Sequence, residues 1–163
     1  MKRSLIFGLF CLPVGLLAIV MNVINYNNYD SSWWRFQFSI AAASILVPAF
    51  LWYLIIERKK RFSMKRGIVV GVLGAVLSHY FSWFFFLYIS PLLDQKPEIL
   101  DGGVDPLLFS MKASLTYSTV SLLLLGLLHL PVGGLIGGSY ANYIKKTKQK
   151  TLLKRAADIL KVI

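Results

Sequence analysis

A chain of 163 residues that is 56% hydrophobic and only 15% charged departs from the roughly 25% charged content of a soluble domain, and its mean hydropathy is +0.64. Its net charge is +11 and it has one cysteine, Cys11, which excludes an internal disulfide framework and any cysteine-based metal motif. The length allows one compact domain.

Taken in order, the chain begins with Lys2 and Arg3 and then an apolar run from Ser4 to Asn25. The arrangement resembles a secretory signal, but the run exceeds the ~7–15 apolar residues of such a signal and no small-x-small site closes it. It reads as a retained first span, residues 4–25. Pro13 and Gly15 predict a kink there, which a membrane tolerates when neighbouring helices satisfy the freed carbonyl. A polar turn with Asn27, Asn28 and Asp30 follows, then Trp33 and Trp34, rings suited to a membrane–water interface.

The second span is predicted over 36–56. It gives way to Glu57–Arg66, which holds Arg58, Lys59, Lys60, Arg61, Lys65 and Arg66. Each such residue costs roughly 2.5–3.5 kcal/mol at the centre of a bilayer, so this stretch is a loop between spans. The third span, 67–90, ends at Pro91. Its inner half carries Gly67, Gly71 and Ala75 at intervals of four, with Gly74, Ser78 and Ser82 beside them. Small residues at this spacing let helix backbones approach in lipid. Residues 80–88 are bulky and mostly aromatic. The next loop, Pro91 to Pro106, contains Asp101-Gly102-Gly103-Val104-Asp105, too short and too poor in oxygen ligands for the usual calcium loop.

From Leu107 the apolar pattern runs to Ile144, more than the ~20 residues one straight span needs. An interfacial turn or two over 107–117 and a fourth span over 118–143 are expected. The inner half of that span holds Gly133, Gly134, Gly137 and Gly138, two overlapping close-packing stripes. Beyond it, 145–163 reads as a basic linker and a short amphipathic helix, with Leu152, Leu153, Ala156 and Leu160 at helical spacing.

The basic charge is explained by topology. Fifteen of the eighteen Lys and Arg residues fall at the N-terminus, in the 57–66 loop and in the tail, segments that four spans place on one side. The positive-inside rule assigns that side to the cytoplasm, and no nucleic-acid partner is needed to account for the charge. Arg58, Lys59, Lys60, Arg61, Lys145, Lys146, Lys154 and Arg155 are the candidate contacts for anionic lipid headgroups or for a cytoplasmic protein.

No Asp, Glu, Lys or Arg lies deep within a predicted span, which argues against a driven ion carrier. The chain also lacks the motifs of a hydrolase, a metalloprotease or a phosphate-binding loop, so no catalytic residue, metal ligand or resident cofactor is expected. The exceptions within the membrane are His79 and His129, each near the middle of its span. They could meet between antiparallel neighbours, and a bis-histidine haem is the cofactor such a pair would hold. The competing reading is two neutral imidazoles hydrogen-bonded in the bundle.

The sequence thus describes an all-α integral membrane protein with four transmembrane helices (1–144), both termini cytoplasmic, and a basic tail. The expectation is a non-enzymatic, self-associating inner-membrane subunit of bacterial type, serving as a scaffold, sensor or immunity component that recruits a cytoplasmic partner. The oligomer interface is expected at Gly67, Gly71, Gly74, Ser78, Gly133, Gly134, Gly137 and Gly138. The alternative is a small channel or passive transporter with a path lined by the two histidines.

Overall fold

The computed structural model describes residues 2–25, 31–93 and 105–160. The turn around Asn27 and Asn28 and the Asp101–Val104 part of the outer loop lie outside these residues. The described chain is built from helices: α1 (Lys2–Asn25), α2 (Ser31–Trp52), α3 (Met64–Leu93) and α4 (Pro106–Leu160). A π-helical turn, Tyr53–Glu57, prolongs α2. Three helices are long and apolar enough to cross a membrane: Trp34–Glu57, Met64–Leu93 and the Pro106–Lys154 part of α4. The apolar portion of α1, Arg3–Leu17, is shorter.

Helix ends differ from the sequence expectation in two places. Pro91 does not end α3, which continues to Leu93. Pro13, Pro48 and Pro131 lie inside helices, within the spans expected to hold them. The second difference is larger, because the expected interfacial turn, fourth span and separate tail helix form one helix of 55 residues. No Gly or Pro occurs between Gly138 and Leu160, and the Lys and Gln of the supposed linker are good helix formers. Nothing there stops propagation.

Capping follows local chemistry. At the start of α4, Asp105 Oδ1 accepts from the Leu107 amide at 2.9 Å, with Pro106 at the first helical position, where its missing N–H costs nothing. The basic loop between α2 and α3 is a Schellman cap. The Arg61 amide bonds the Ile56 carbonyl at 3.2 Å and the Lys60 amide bonds the Glu57 carbonyl at 3.1 Å. Lys60 takes the left-handed conformation, φ 50°, at the position where glycine is usual. Ser63 then opens α3, its Oγ accepting from the Arg66 amide at 3.3 Å.

Packing centres on α3, which touches α4 along its length and α2 on another face. At the basic end α3 and α4 meet backbone to backbone. A Cβ on Gly67 would fall on the Gly137 carbonyl, and one on Gly71 on the Gly133 carbonyl. The adjoining stripes, expected with the others at an oligomer interface, are used inside the chain. Gly134 lies against Val72 and Ile68, Gly138 against Ile68 and Met64, and Gly74 against Pro48 of α2. Ser78 donates to the Ala43 carbonyl at 3.1 Å. The physical reason is the closeness of the contact: once α3 nears the Gly133/Gly137 stripe, its flanking side chains wrap around the neighbouring one.

Two further clusters tie the ends of the bundle. At the basic end Phe7 stacks near Trp52 (4.3 Å between centroids), and Trp52 lies 4.9 Å from Tyr140. Tyr140 donates to the Arg3 carbonyl at 3.0 Å, and the Ser4 amide donates to Glu57 at 3.1 Å. At the other end Arg35 donates to the Ser90 carbonyl at 3.3 Å, joining α2 to α3. The outward face of α4 is apolar, with Leu123 75% and Leu127 84% exposed, a surface suited to lipid rather than water.

Gly71→Val or Gly133→Val should lower stability by about 2 kcal/mol or more, since each forces the α3–α4 backbones apart. Gly126→Ala should raise it by up to about 1 kcal/mol through helix propensity, because a Cβ there meets only ordinary contacts with Leu122 and Leu130. Thermal melts of the purified variants in one detergent would check both directions.

Candidate functional site

The glycine contacts set the register of α3 against α4. Gly67 opposes Gly137 and Gly71 opposes Gly133, so the antiparallel count carried forward places position 79 opposite 125. Residues one turn either side of 125 are 121 and 129, and a side chain at 79 can reach both. The structure has this arrangement. His79 Nε2 and His129 Nδ1 are 2.8 Å apart, and His79 Nδ1 is 3.0 Å from Ser121 Oγ. The ring centroids are 5.0 Å apart. The pairing expected of the two histidines is therefore present, and it is direct.

Proton positions follow from the network. Ser121 Oγ is also 3.1 Å from the Ser118 carbonyl, which can only accept. Three contacts share three protons, one each from Ser121 and the two neutral imidazoles. All are satisfied only if Ser121 donates to Ser118, His79 Nδ1–H donates to Ser121, and His129 Nδ1–H donates to His79 Nε2. Both rings are thereby assigned as Nδ1–H tautomers from the network.

The pair borders a cavity of about 250 Å³ to which all four helices contribute. Cys11 and Gly15 come from α1, Phe36 and Ser44 from α2, Ser78 and Trp83 from α3, and Leu125 from α4. Most of the wall is apolar. The polar groups are largely engaged: Ser44 donates to the Ile40 carbonyl at 2.7 Å and Ser82 to the Ser78 carbonyl at 2.7 Å. Cys11 is buried and reduced, and Trp83 stacks on Tyr117 at 4.9 Å. The glycines bring the α3 and α4 backbones into contact at one end, and beyond them larger side chains, Trp83 of α3 and Leu125 of α4, line the space.

No family model, curated protein or solved structure matches this chain. A haem held between the two histidines does not fit the site. With metal–imidazole distances of about 2 Å, axial nitrogens stand about 4 Å apart across the iron, whereas His79 Nε2 and His129 Nδ1 share a proton at 2.8 Å.

Other expected site residues lie elsewhere. Arg58, Lys59, Lys60 and Arg61 are exposed in the α2–α3 cap, and Lys145, Lys146 and Lys154 are exposed along the last part of α4. The Arg155 side chain lies outside the described residues. Lys148 sits over the Phe62 ring at 4.0 Å from its centroid, so α4 meets the 58–63 loop at that point. The sequence reading did not assign Ser121, Ser44, Trp83 or Phe36 to this site. Ser121 had a signal: Ser110, Ser114 and Ser118, all buried, recur every fourth residue on α4 and lead towards it.

The tautomer assignment has a direct check. In chains labelled with ¹⁵N-histidine, both imidazoles should show a protonated Nδ1 and an unprotonated Nε2 at neutral pH. In Ser121→Ala, which removes the acceptor of His79 Nδ1–H, the two rings should lose this single pattern.

Proposed function

We propose that this chain is a non-enzymatic four-span membrane sensor that binds a small lipophilic molecule in the cavity beside His79 and His129. α4 would report occupancy to a cytoplasmic partner. One observation carries the reading: a largely apolar cavity bordered by a partly buried hydrogen-bonded histidine pair, one member of which stands on a helix that continues past the bundle to Leu160. Buried polar groups in lipid are costly and mark function more often than packing. Cavities between helices of a bundle with a few convergent polar groups are ligand sites by preference.

The fourth span in this reading is α1. Its 24 residues extend about 36 Å at 1.5 Å per residue, enough for a hydrocarbon core of about 30 Å. The concentration of Lys and Arg at one end supports an orientation with both termini in the cytoplasm, in a bacterial-type inner membrane. The exposed cations there meet anionic headgroups, and Leu152 and Leu153, both exposed at the end of α4, are available to the partner. Self-association is not part of the reading, since the glycine stripes that suggested it pack within the chain.

Orientation is tested with impermeant thiol reagents on intact cells. Cysteines placed at Asn28 and Gly102 should label from outside, and one at Ser63 should not. The reverse pattern would overturn the orientation.

Ligand binding is tested in nanodiscs. Naphthalene should raise the melting temperature of the native chain by a few degrees. Leu125→Trp, which fills the cavity, should abolish the shift. An equal shift in both proteins would place the compound elsewhere and remove the basis for the sensor.

A further inference from the structure

The hydrogen-bond chain at the histidine pair ends on an atom without a partner. Ser118 accepts from Ser121, Ser121 from His79 and His79 from His129, and each of the three donors has then given its one proton. What remains is the lone pair on His129 Nε2. The residue is 8% exposed, more than nine-tenths buried, and it lines the cavity. No described protein group bonds Nε2. It is also not sealed off as the indole nitrogen of Trp52 is, which is buried with no hydrogen-bond partner. A bare acceptor bordering an apolar space is costly unless something donates to it.

We infer that the cavity selects a lipid-soluble aromatic alcohol, a phenol or quinol ring, whose hydroxyl donates to His129 Nε2. The inference rests on the ligand-binding reading above and narrows it to one chemistry. Three features of the site support it. The polarity of the free atom demands a donor, so a ketone, ether or oxidised quinone is disfavoured by the same wall that favours the alcohol. The size agrees: an apolar cavity of about 150 Å³ takes benzene, so about 250 Å³ takes a fused bicycle. The wall includes the rings of Phe36 and Trp83, which suit offset or edge contact with another aromatic ring. An imidazole nitrogen can also bind a metal, but among the described residues no three His, Cys, Asp or Glu side chains come together.

The experiment compares 2-naphthol with 2-methoxynaphthalene, nearly the same shape with the donor removed. The full chain is held in phosphatidylcholine nanodiscs, and partition into protein-free discs is subtracted. The native chain should bind one naphthol per chain about tenfold more tightly than the ether, the ratio that one net hydrogen bond gives. His129→Leu should bring naphthol to the ether's affinity measured in the same variant. Should that variant fail to fold, Ser121→Ala tests the same chain of bonds, and the preference should shrink there because the His79 tautomer is no longer held.

Equal affinities in the native chain would overturn the donor assignment while leaving the ligand-binding reading in place. Tighter binding of 1,4-naphthoquinone, which only accepts, would overturn it as well, since that requires a proton on Nε2. A tenfold preference that survives in folded His129→Leu would do the same. Failure of all three compounds to bind would remove both the inference and the reading beneath it.

Discussion

The structure depends on two helices touching through their backbones. In lipid, apolar side chains gain little by leaving one apolar medium for another, so helices associate through close packing and polar contacts. Gly67 and Gly71 on α3 meet Gly137 and Gly133 on α4 with no side chain between them. The same contact brings Cα–H groups against carbonyl oxygens, a weak but repeated attraction. Everything else follows its register. It places His79 between Ser121 and His129, and it presents another face of α3, with Gly74 and Ser78, to α2.

Much of the helical architecture was legible in the sequence, because apolar length and charge position are local quantities. The spans predicted at 36–56 and 67–90 lie within Trp34–Glu57 and Met64–Leu93. The ends were less legible. Pro91 reads as a stop, but it sits near the end of α3, where a freed carbonyl can be satisfied from outside the helix. Lys60 occupies a left-handed cap position with no glycine to announce it; the cost, about 1–2 kcal/mol for a residue with a side chain, is met by the two amide bonds of the cap. The continuity of α4 was missed for the opposite reason. A run of lysines looks like a linker by charge, whereas its backbone has no cause to leave the helix.

The site was legible in its residues and not in its arrangement. Two histidines at mid-span on neighbouring helices could be seen to approach one another. That they would share a proton directly, leaving no room for iron, depends on a register which only the glycine contact fixes. The glycine stripes themselves could be read, but not their assignment. Periodicity says which residues lie on one face of a helix and is silent about which helix that face meets. Two stripes a residue apart read as two interfaces, and at this close approach they are one.

The uninterrupted length of α4 has a mechanical consequence. The helix is held at Gly133 and Gly137, again where Tyr140 meets Arg3 and Trp52, and once more where Lys148 lies over Phe62. His129 and Lys148 stand on one continuous helix, roughly 28 Å apart at 1.5 Å per residue. A tilt of α4 at the imidazole is therefore not absorbed locally and has to be accommodated at the 58–63 loop as well. The histidine pair and the basic loop are mechanically joined through that one element.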